Sequence, residues 1–107
     1  MGDLAQGLLA AKIDAASSGN NTLVAAVASE RVFVYRMFFL AVGAVDVEIR
    51  DGATTEMTGP MALNQTVGIW MDYSDEPWFI TTAGNALIMN LSAAVQVSGR
   101  VYYKQAP

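Results

Sequence analysis

Two tryptophans flank a short segment that carries three carboxylates, at Asp72, Asp75 and Glu76. Paired carboxylates hydrolyse glycosidic bonds when a cleft holds them at a fixed separation, and aromatic side chains beside them stack on sugar rings. A chain of 107 residues has little material from which to build such a cleft. A flat surface on which Trp70, Tyr73 and Trp78 stack against a sugar demands less, although tryptophans in a small sandwich are more often buried in a core or an interface. A carbohydrate-binding surface and an ordinary interface are therefore both open.

A second group of carboxylates lies farther towards the N-terminus, at Asp46, Glu48 and Asp51. Residues two apart on a strand point the same way, which can bring carboxylates together as in a calcium site. Calcium, however, takes roughly six to eight oxygen ligands, usually from a loop, and Arg50 lies among these residues as a competing cation. A solvated strand face whose charges oppose those of a neighbouring strand explains the group more simply. We expect no metal site here.

The sequence contains no histidine and no cysteine. Histidine is the usual general base near neutral pH and the commonest metal ligand, so most acid–base and zinc chemistry loses its central residue. Without cysteine there are no thiolate nucleophiles, disulfides or sulfur ligands, and no serine is placed beside an activating base. We therefore expect a protein that is not an enzyme and that binds no cofactor.

The charge and hydrophobicity of the chain argue against two classes of partner. The formal net charge is −4, and the six lysine and arginine residues are scattered, whereas a nucleic-acid backbone requires a basic patch. The most apolar segment, residues 32–45, is interrupted by Arg36 and is shorter than the roughly 20 residues that span a bilayer. The first residues also lack the order of a signal peptide. We expect neither a nucleic acid nor a membrane as partner.

Alternating apolar and polar side chains predict half-buried strands in two places. In residues 45–50, Val45, Val47 and Ile49 alternate with charged neighbours, and residues 95–104 alternate throughout. This is the period of a strand that buries one face and exposes the other. The first of these strands ends at Asp51 and Gly52, a pair that signals a turn.

Residues 32–41 are apolar on both sides of a predicted strand. Strict alternation places Phe33, Tyr35, Met37 and Phe39 on one side and Val32, Val34, Arg36, Phe38 and Leu40 on the other. Such a strand lies in the centre of a fold or is covered by another subunit. Because only 15% of the residues are charged, we expect a homo-oligomer. Arg36 then needs a carboxylate or backbone carbonyls as partner, since an unpaired buried guanidinium is strongly destabilising.

Turn signals recur at intervals of about eight to twelve residues along the chain, as in all-β sandwiches. One of them is the run of small and polar residues at 17–21, and others precede residues 61, 78 and 86. We expect an all-β fold, an antiparallel β-sandwich of about eight strands that is jelly-roll or immunoglobulin-like. Residues 1–10 are predicted to form an N-terminal arm, and residues 11–107 a single domain that begins with a strand near Ala11.

Three segments of the chain carry a family resemblance: "KIDAASSGNNTLVAAV", "DGATTEMTGPMAL" and "PWFITTAGNALIMNLSAAVQVSGRVYY". Together they resemble small β-sandwich structural proteins of tailed bacteriophages, of the capsid decoration or cement type, and the similarity extends over residues 12–103. These are motifs of turns and core strands. They therefore specify an architecture and carry no catalytic group.

The resemblance implies a virion structural protein on the capsid exterior, made in the host cytoplasm and bound across subunits of the major capsid protein. It also implies self-association, commonly as a homotrimer, and no catalysis. A tail or fibre accessory module and a carbohydrate-binding module are the alternatives. The residues that we predict at an interface, including those of the N-terminal arm, are Leu4, Leu8, Leu9, Phe33, Tyr35, Arg36, Met37, Trp70 and Trp78.

Overall fold

The computed structural model describes residues 7–65 and 67–107, which form two antiparallel sheets packed face to face and contain no helix. The predicted all-β antiparallel sandwich is thereby confirmed. None of the described residues belongs to a helix with the length and hydrophobicity needed to cross a membrane. The ten strands of the described residues are β1 (Leu9–Ala15), β2 (Gly19–Val24), β3 (Arg31–Ala41), β4 (Val45–Asp51), β5 (Thr55–Glu56), β6 (Met61–Leu63), β7 (Gly68–Met71), β8 (Phe79–Ile80), β9 (Leu87–Leu91) and β10 (Val97–Ala106).

Strand pairing is nested, so that the first strand pairs with the last and the second with the last but one. The first sheet has the order β1-β10-β3-β7, and β8 also pairs with β3. The second sheet has the order β2-β9-β4-β5, and β6 also pairs with β4. Strands β1 to β4 therefore alternate between the sheets, which places the loops that connect them at the ends of the sandwich.

The core lies between the sheets and is built by the alternation that the sequence predicts. Val45, Val47 and Ile49 on β4 are buried, and so are Val97 and Val101 on β10, while their polar neighbours point outward. Burial of these branched side chains supplies most of the driving force for folding. The largest side chains that are fully buried are Phe39, Ile13, Met37, Ile49, Leu87, Met89 and Leu91.

A β-bulge at Tyr35 changes the side-chain pattern in the middle of β3. Tyr102 of β10 pairs with Arg36 whereas Tyr103 pairs with Val34, so Tyr35 has no opposite residue. One extra residue reverses the alternation from that point on. The expectation that Phe33 and Tyr35 share a face with Met37 and Phe39 is therefore wrong. The inward residues are Val32, Val34, Met37, Phe39 and Ala41.

Three details of the strand boundaries differ from the sequence-based expectation. β1 begins at Leu9, and Leu9 and Ala10 pair with Tyr103 and Tyr102. Gly19–Asn21 belong to β2 and not to the preceding turn, because their backbone groups pair with β9. The described residues form ten strands and not about eight, because short elements such as β5 and β8, with two residues each, count as separate strands.

Candidate interaction surface on the first sheet

The outer face of the first sheet carries exposed aromatic side chains where β7 lies beside β3. Trp70 and Phe38 are register partners, and their rings stack with centroids 4.9 Å apart and planes inclined by 13°. The reversed alternation after the bulge turns Phe38 outward, while Met37 and Phe39 fill the core. Trp70 nonetheless remains 61% exposed. One face of this tryptophan is thus packed and the rest of it is accessible to a partner.

A second stacked pair continues the aromatic surface beyond the end of β7. The rings of Tyr35 and Tyr73 lie 6.2 Å apart and are inclined by 21°. The hydroxyl of Tyr73 donates a hydrogen bond to Oδ1 of Asp75 at 3.3 Å. Partial desolvation and the neighbouring charge of Asp75 raise the pKa of Tyr73 above its usual value of 10.0. This phenol is therefore neutral at physiological pH and can donate or accept a hydrogen bond.

Trp78 lies on the same surface and is held by two hydrogen bonds. Its backbone N–H donates to the carbonyl of Val34 at 2.7 Å, and its indole Nε1–H donates to the carbonyl of Asp72 at 2.8 Å. The indole is 48% exposed. The aromatic band, as we call this outer surface of the first sheet, consists of Phe33, Tyr35, Phe38, Trp70, Tyr73 and Trp78.

Three cations border the aromatic band on the side of β10. The guanidinium groups of Arg36 and Arg100 lie over the ring of Tyr102, at 5.3 and 5.7 Å from its centroid. Nζ of Lys104 lies 5.9 Å from the centroid of Tyr35. Among the described residues none of the three forms an ion pair. We call Arg36, Arg100 and Lys104 the cationic strip.

Three carboxylates border the aromatic band on its other side. Asp72, Asp75 and Glu76 are exposed in the connection between β7 and β8. Ser74 of this connection donates its backbone N–H to the carbonyl of Tyr35 at 3.3 Å, which holds it along the edge of β3 away from β10. We call residues 72–76 the acidic loop. Within residues 7–65 and 67–107, no group of three or more carboxylates could hold a metal ion.

The carboxylates of β4 are separated, because Asp51 does not share a face with Asp46 and Glu48. Asp46 and Glu48 point outward, while Asp51 is 9% exposed at the inward end of the strand. The interpretation of all three as one solvated face therefore fails at Asp51. Glu48 accepts hydrogen bonds from Arg50 at 2.7 and 3.0 Å, so this pair does neutralise charge on the outer face.

Asp51 instead fixes the connection that crosses from the first sheet to the second. Its carboxylate accepts hydrogen bonds from the backbone N–H and the hydroxyl of Thr82, at 2.9 and 2.7 Å, and from Nδ2 of Asn85 at 3.0 Å. Burial on its own raises the pKa of Asp51, but these hydrogen bonds and the charge of Arg31 outweigh it and lower that pKa below 3.8. We call this arrangement the Asp51 clasp.

The Asp51 clasp was not predicted from the sequence, although its two parts lie in segments that the sequence analysis singled out. The turn after β4 and the turn before β9 meet where Gly52 donates its N–H to the carbonyl of Ala86 at 2.9 Å. Gly52 has a φ of 71°, and a Cβ there would lie 3.1 Å from Nδ2 of Asn85. Only the pairing of two distant turns, which no local pattern specifies, brings these residues together.

The outer face of the second sheet is polar and its side chains bond to one another. Oδ1 of Asn20 accepts from Nδ2 of Asn90 at 2.8 Å and from Nη1 of Arg50 at 3.5 Å. Nδ2 of Asn20 and Nη1 of Arg50 both donate to the carbonyl of Ala53. These donors and acceptors are therefore satisfied within the chain.

The structure brings five of the predicted interface residues to the outer face of the first sheet. These are Phe33, Tyr35, Arg36, Trp70 and Trp78. Met37 is fully buried in the core, because the bulge turns it inward. In the predicted arm, Leu4 lies outside the described residues, Leu8 is half-buried and Leu9 is 51% exposed.

No model of a known protein family and no curated protein matches this sequence.

Proposed function

We propose that this protein is a non-enzymatic virion structural protein that decorates and cements the head of a tailed bacteriophage. It binds on the capsid exterior across boundaries between subunits of the major capsid protein, and it self-associates as a homotrimer. The observation that carries the proposal is the aromatic band. Its members include Trp70 and Trp78, which are 61% and 48% exposed.

An exposed aromatic surface of this kind supports a binding function. Soluble proteins rarely leave contiguous apolar surface uncovered unless a partner binds there. The interior offers no unsatisfied polar group as an alternative binding site, because every buried side-chain nitrogen and oxygen of the described residues has a hydrogen-bond partner. In this proposal the aromatic band is buried between identical chains.

The nested strand pairing supports the jelly-roll form of the sandwich over the immunoglobulin-like form. If β5 and β6 count as one interrupted strand, and β7 and β8 as another, eight strands pair first with last and inward from there. A jelly roll has eight strands in two sheets formed by such wrapping. We assign the jelly roll on this ground, in keeping with the resemblance of the sequence to phage structural proteins.

Capsid stabilisation in this proposal follows from linkage. A ligand that binds the assembled shell but not its separated subunits stabilises the shell by mass action, and several contacts within one trimer add through multivalency. The second sheet exposes Asp46 and Glu56 on its outer face, which suits attachment to basic patches of the shell. Such attachment weakens as the salt concentration rises.

A carbohydrate-binding module is the second candidate, because one observation favours it. Trp70, Tyr73 and Trp78 are all exposed beside one another on the first sheet, as stacking on a sugar requires. The two candidates differ in whether these rings contact a second protein chain or a glycan.

Co-sedimentation with undecorated phage heads tests the proposal. We expect the protein to pellet with the heads and to raise the temperature at which they disrupt. Trp70→Ala should weaken both effects, whereas Val27→Ala, at an exposed residue outside the aromatic band, should not. Absence of co-sedimentation, together with glycan binding that Trp70→Ala or Trp78→Ala abolishes, would establish the carbohydrate-binding function instead.

A further inference from the structure

Opposite charges lie on the two sides of the aromatic band. β10 pairs with one edge of β3, and Arg100 and Lys104 lie on β10. β7 and β8 pair with the other edge, and the acidic loop connects them. In a chain whose net charge is −4, three of the six basic residues thus lie together in the cationic strip.

Neither charged group is neutralised by its own chain. In the described residues, the two ion pairs join Lys12 to Asp14 and Arg50 to Glu48, and neither includes the cationic strip or the acidic loop. The guanidinium groups of Arg36 and Arg100 lie over the ring of Tyr102. Both groups are therefore available to a partner of opposite charge.

We propose that the cationic strip of one copy binds the acidic loop of a second copy, with the aromatic bands packed between them. The proposal rests on the proposed function, because it specifies how the homotrimer forms. Rotation about an axis that runs parallel to β3 in front of the first sheet places the β10 side of one copy against the β7–β8 side of the next. Three such contacts close a ring and leave neither charged group unpaired.

Charge complementarity within the chain itself singles out a second copy as the occupant. A surface that binds this face must be apolar in the middle and must carry cations and anions on opposite sides, and the aromatic band with its two borders has that composition. The outer face of the second sheet does not, because Asn20, Asn90 and Arg50 already bond to one another there. The contact also supplies the carboxylate partner that Arg36 needs once it is covered.

Charge reversal tests this pairing by sedimentation velocity of the purified protein at low salt. In Arg36→Glu/Arg100→Glu and in Asp72→Lys/Glu76→Lys, like charges face each other, so we expect the dissociation constant to rise by about 100-fold or more. The four substitutions together restore opposite charges and the net charge of −4, so this combined variant should associate like the wild type. Asp46→Lys/Glu56→Lys, on the second sheet, changes the net charge as Asp72→Lys/Glu76→Lys does and should leave association unaltered.

An equimolar mixture of the two reversed variants distinguishes a ring of three from a pair. Alternating variants satisfy every contact of a two-fold pair, but an odd ring always retains one contact between like charges. We therefore expect the mixture to associate less well than the combined variant. Full recovery as a one-to-one pair would support the charged contact and overturn the three-fold ring.

Two results would overturn the inference itself. One is a wild-type protein that stays monomeric at high concentration and low salt, and the other is a combined variant that is folded, by circular dichroism, but does not associate. Neither result concerns binding to phage heads, which co-sedimentation measures separately. Failure of the charged contact is therefore distinguishable from failure of the capsid function.

Discussion

The Asp51 clasp and the aromatic band differ in whether the charged side chains beside them have partners within the chain. In the clasp, a buried carboxylate accepts hydrogen bonds from Thr82 and Asn85 and has its pKa lowered by them. At the aromatic band, Arg36 and Arg100 are exposed and contact an aromatic ring but no carboxylate of the described chain. The clasp is complete within one chain, and the band is not.

This difference separates the residues that stabilise the fold from those that are free to bind. Removing Asp51 from the clasp leaves partly buried donors of Thr82 and Asn85 without their acceptor, which costs free energy in the folded state. Removing a side chain from the band uncovers little, because water already reaches it. Substitutions in the two regions should therefore affect different measurements.

Asp51→Ala should have the largest effect on stability. It leaves the N–H of Thr82 and the amide of Asn85 without their acceptor, so we expect the free energy of unfolding to fall by about 3 kcal/mol. Denaturant unfolding measures this change. Asp46→Ala, on the same strand but exposed, should change the free energy by no more than about 0.5 kcal/mol. Equal losses in the two variants would contradict the assignment of the clasp.

The pH dependence of stability should come partly from the same carboxylate. The pKa of Asp51 in the folded protein is below 3.8, its ordinary value, so the charged form is the one that folding favours. Its contribution is present above the pKa of the unfolded chain and is lost as the pH falls through the pKa of the folded protein.

Unfolding of Asp51→Asn and of the wild type, compared between about pH 6 and pH 2, tests this contribution. We expect the difference in unfolding free energy between the two proteins to shrink as the pH falls below 3.8. Asp46→Asn serves as the control for the other carboxylates. Parallel curves for Asp51→Asn and the wild type would show that the clasp does not depend on charge.

The sandwich was predictable because its core strands follow simple alternation. Val45, Val47 and Ile49 on β4 specify which face of that strand is buried, and the alternation over residues 95–104 does the same for β10. Each of these assignments depends only on neighbours along the chain. Local pattern therefore sufficed for the fold class.

The clasp and the bulge were not predictable because both depend on distant pairing. Nothing near Tyr35 in the sequence marks it as unpaired, and the reversal appears only when β10 pairs with both halves of β3. Asp51 likewise follows the alternation of β4 in pointing inward, but its partners Thr82 and Asn85 come from a turn about thirty residues later. Local alternation therefore predicted neither the reversal after Tyr35 nor the contacts of Asp51.

Trp70→Ala should have a modest effect on stability and a large one on association. Because the indole is 61% exposed and stacks on Phe38, we expect a loss of about 1 kcal/mol in unfolding free energy. Association at low salt should weaken far more than this change in stability explains. Val27→Ala is the control for loss of an exposed apolar side chain. A stability loss as large as that of Asp51→Ala would mean that the band belongs to the fold.

The smallest predicted effect is the difference in coupling energy between the two ion pairs of the described residues, one largely shielded from solvent and one exposed. Nη2 of Arg50 lies 2.7 Å from Oε1 of Glu48, and the two side chains are 21% and 15% exposed. Lys12 and Asp14 are 3.8 Å apart and 79% and 58% exposed. Solvent screens an exposed pair, and ordering two long side chains offsets the remaining attraction.

Double-mutant cycles with alanine measure both couplings. We expect about 1 kcal/mol for Glu48 and Arg50, because their geometry is tight and Asn20 and Ala53 also hold the guanidinium. For Lys12 and Asp14 we expect no coupling above the error of the measurement. Since Glu48 and Arg50 lie on the second sheet, neither substitution should alter association. A change in association there would place part of the contact between copies on the second sheet.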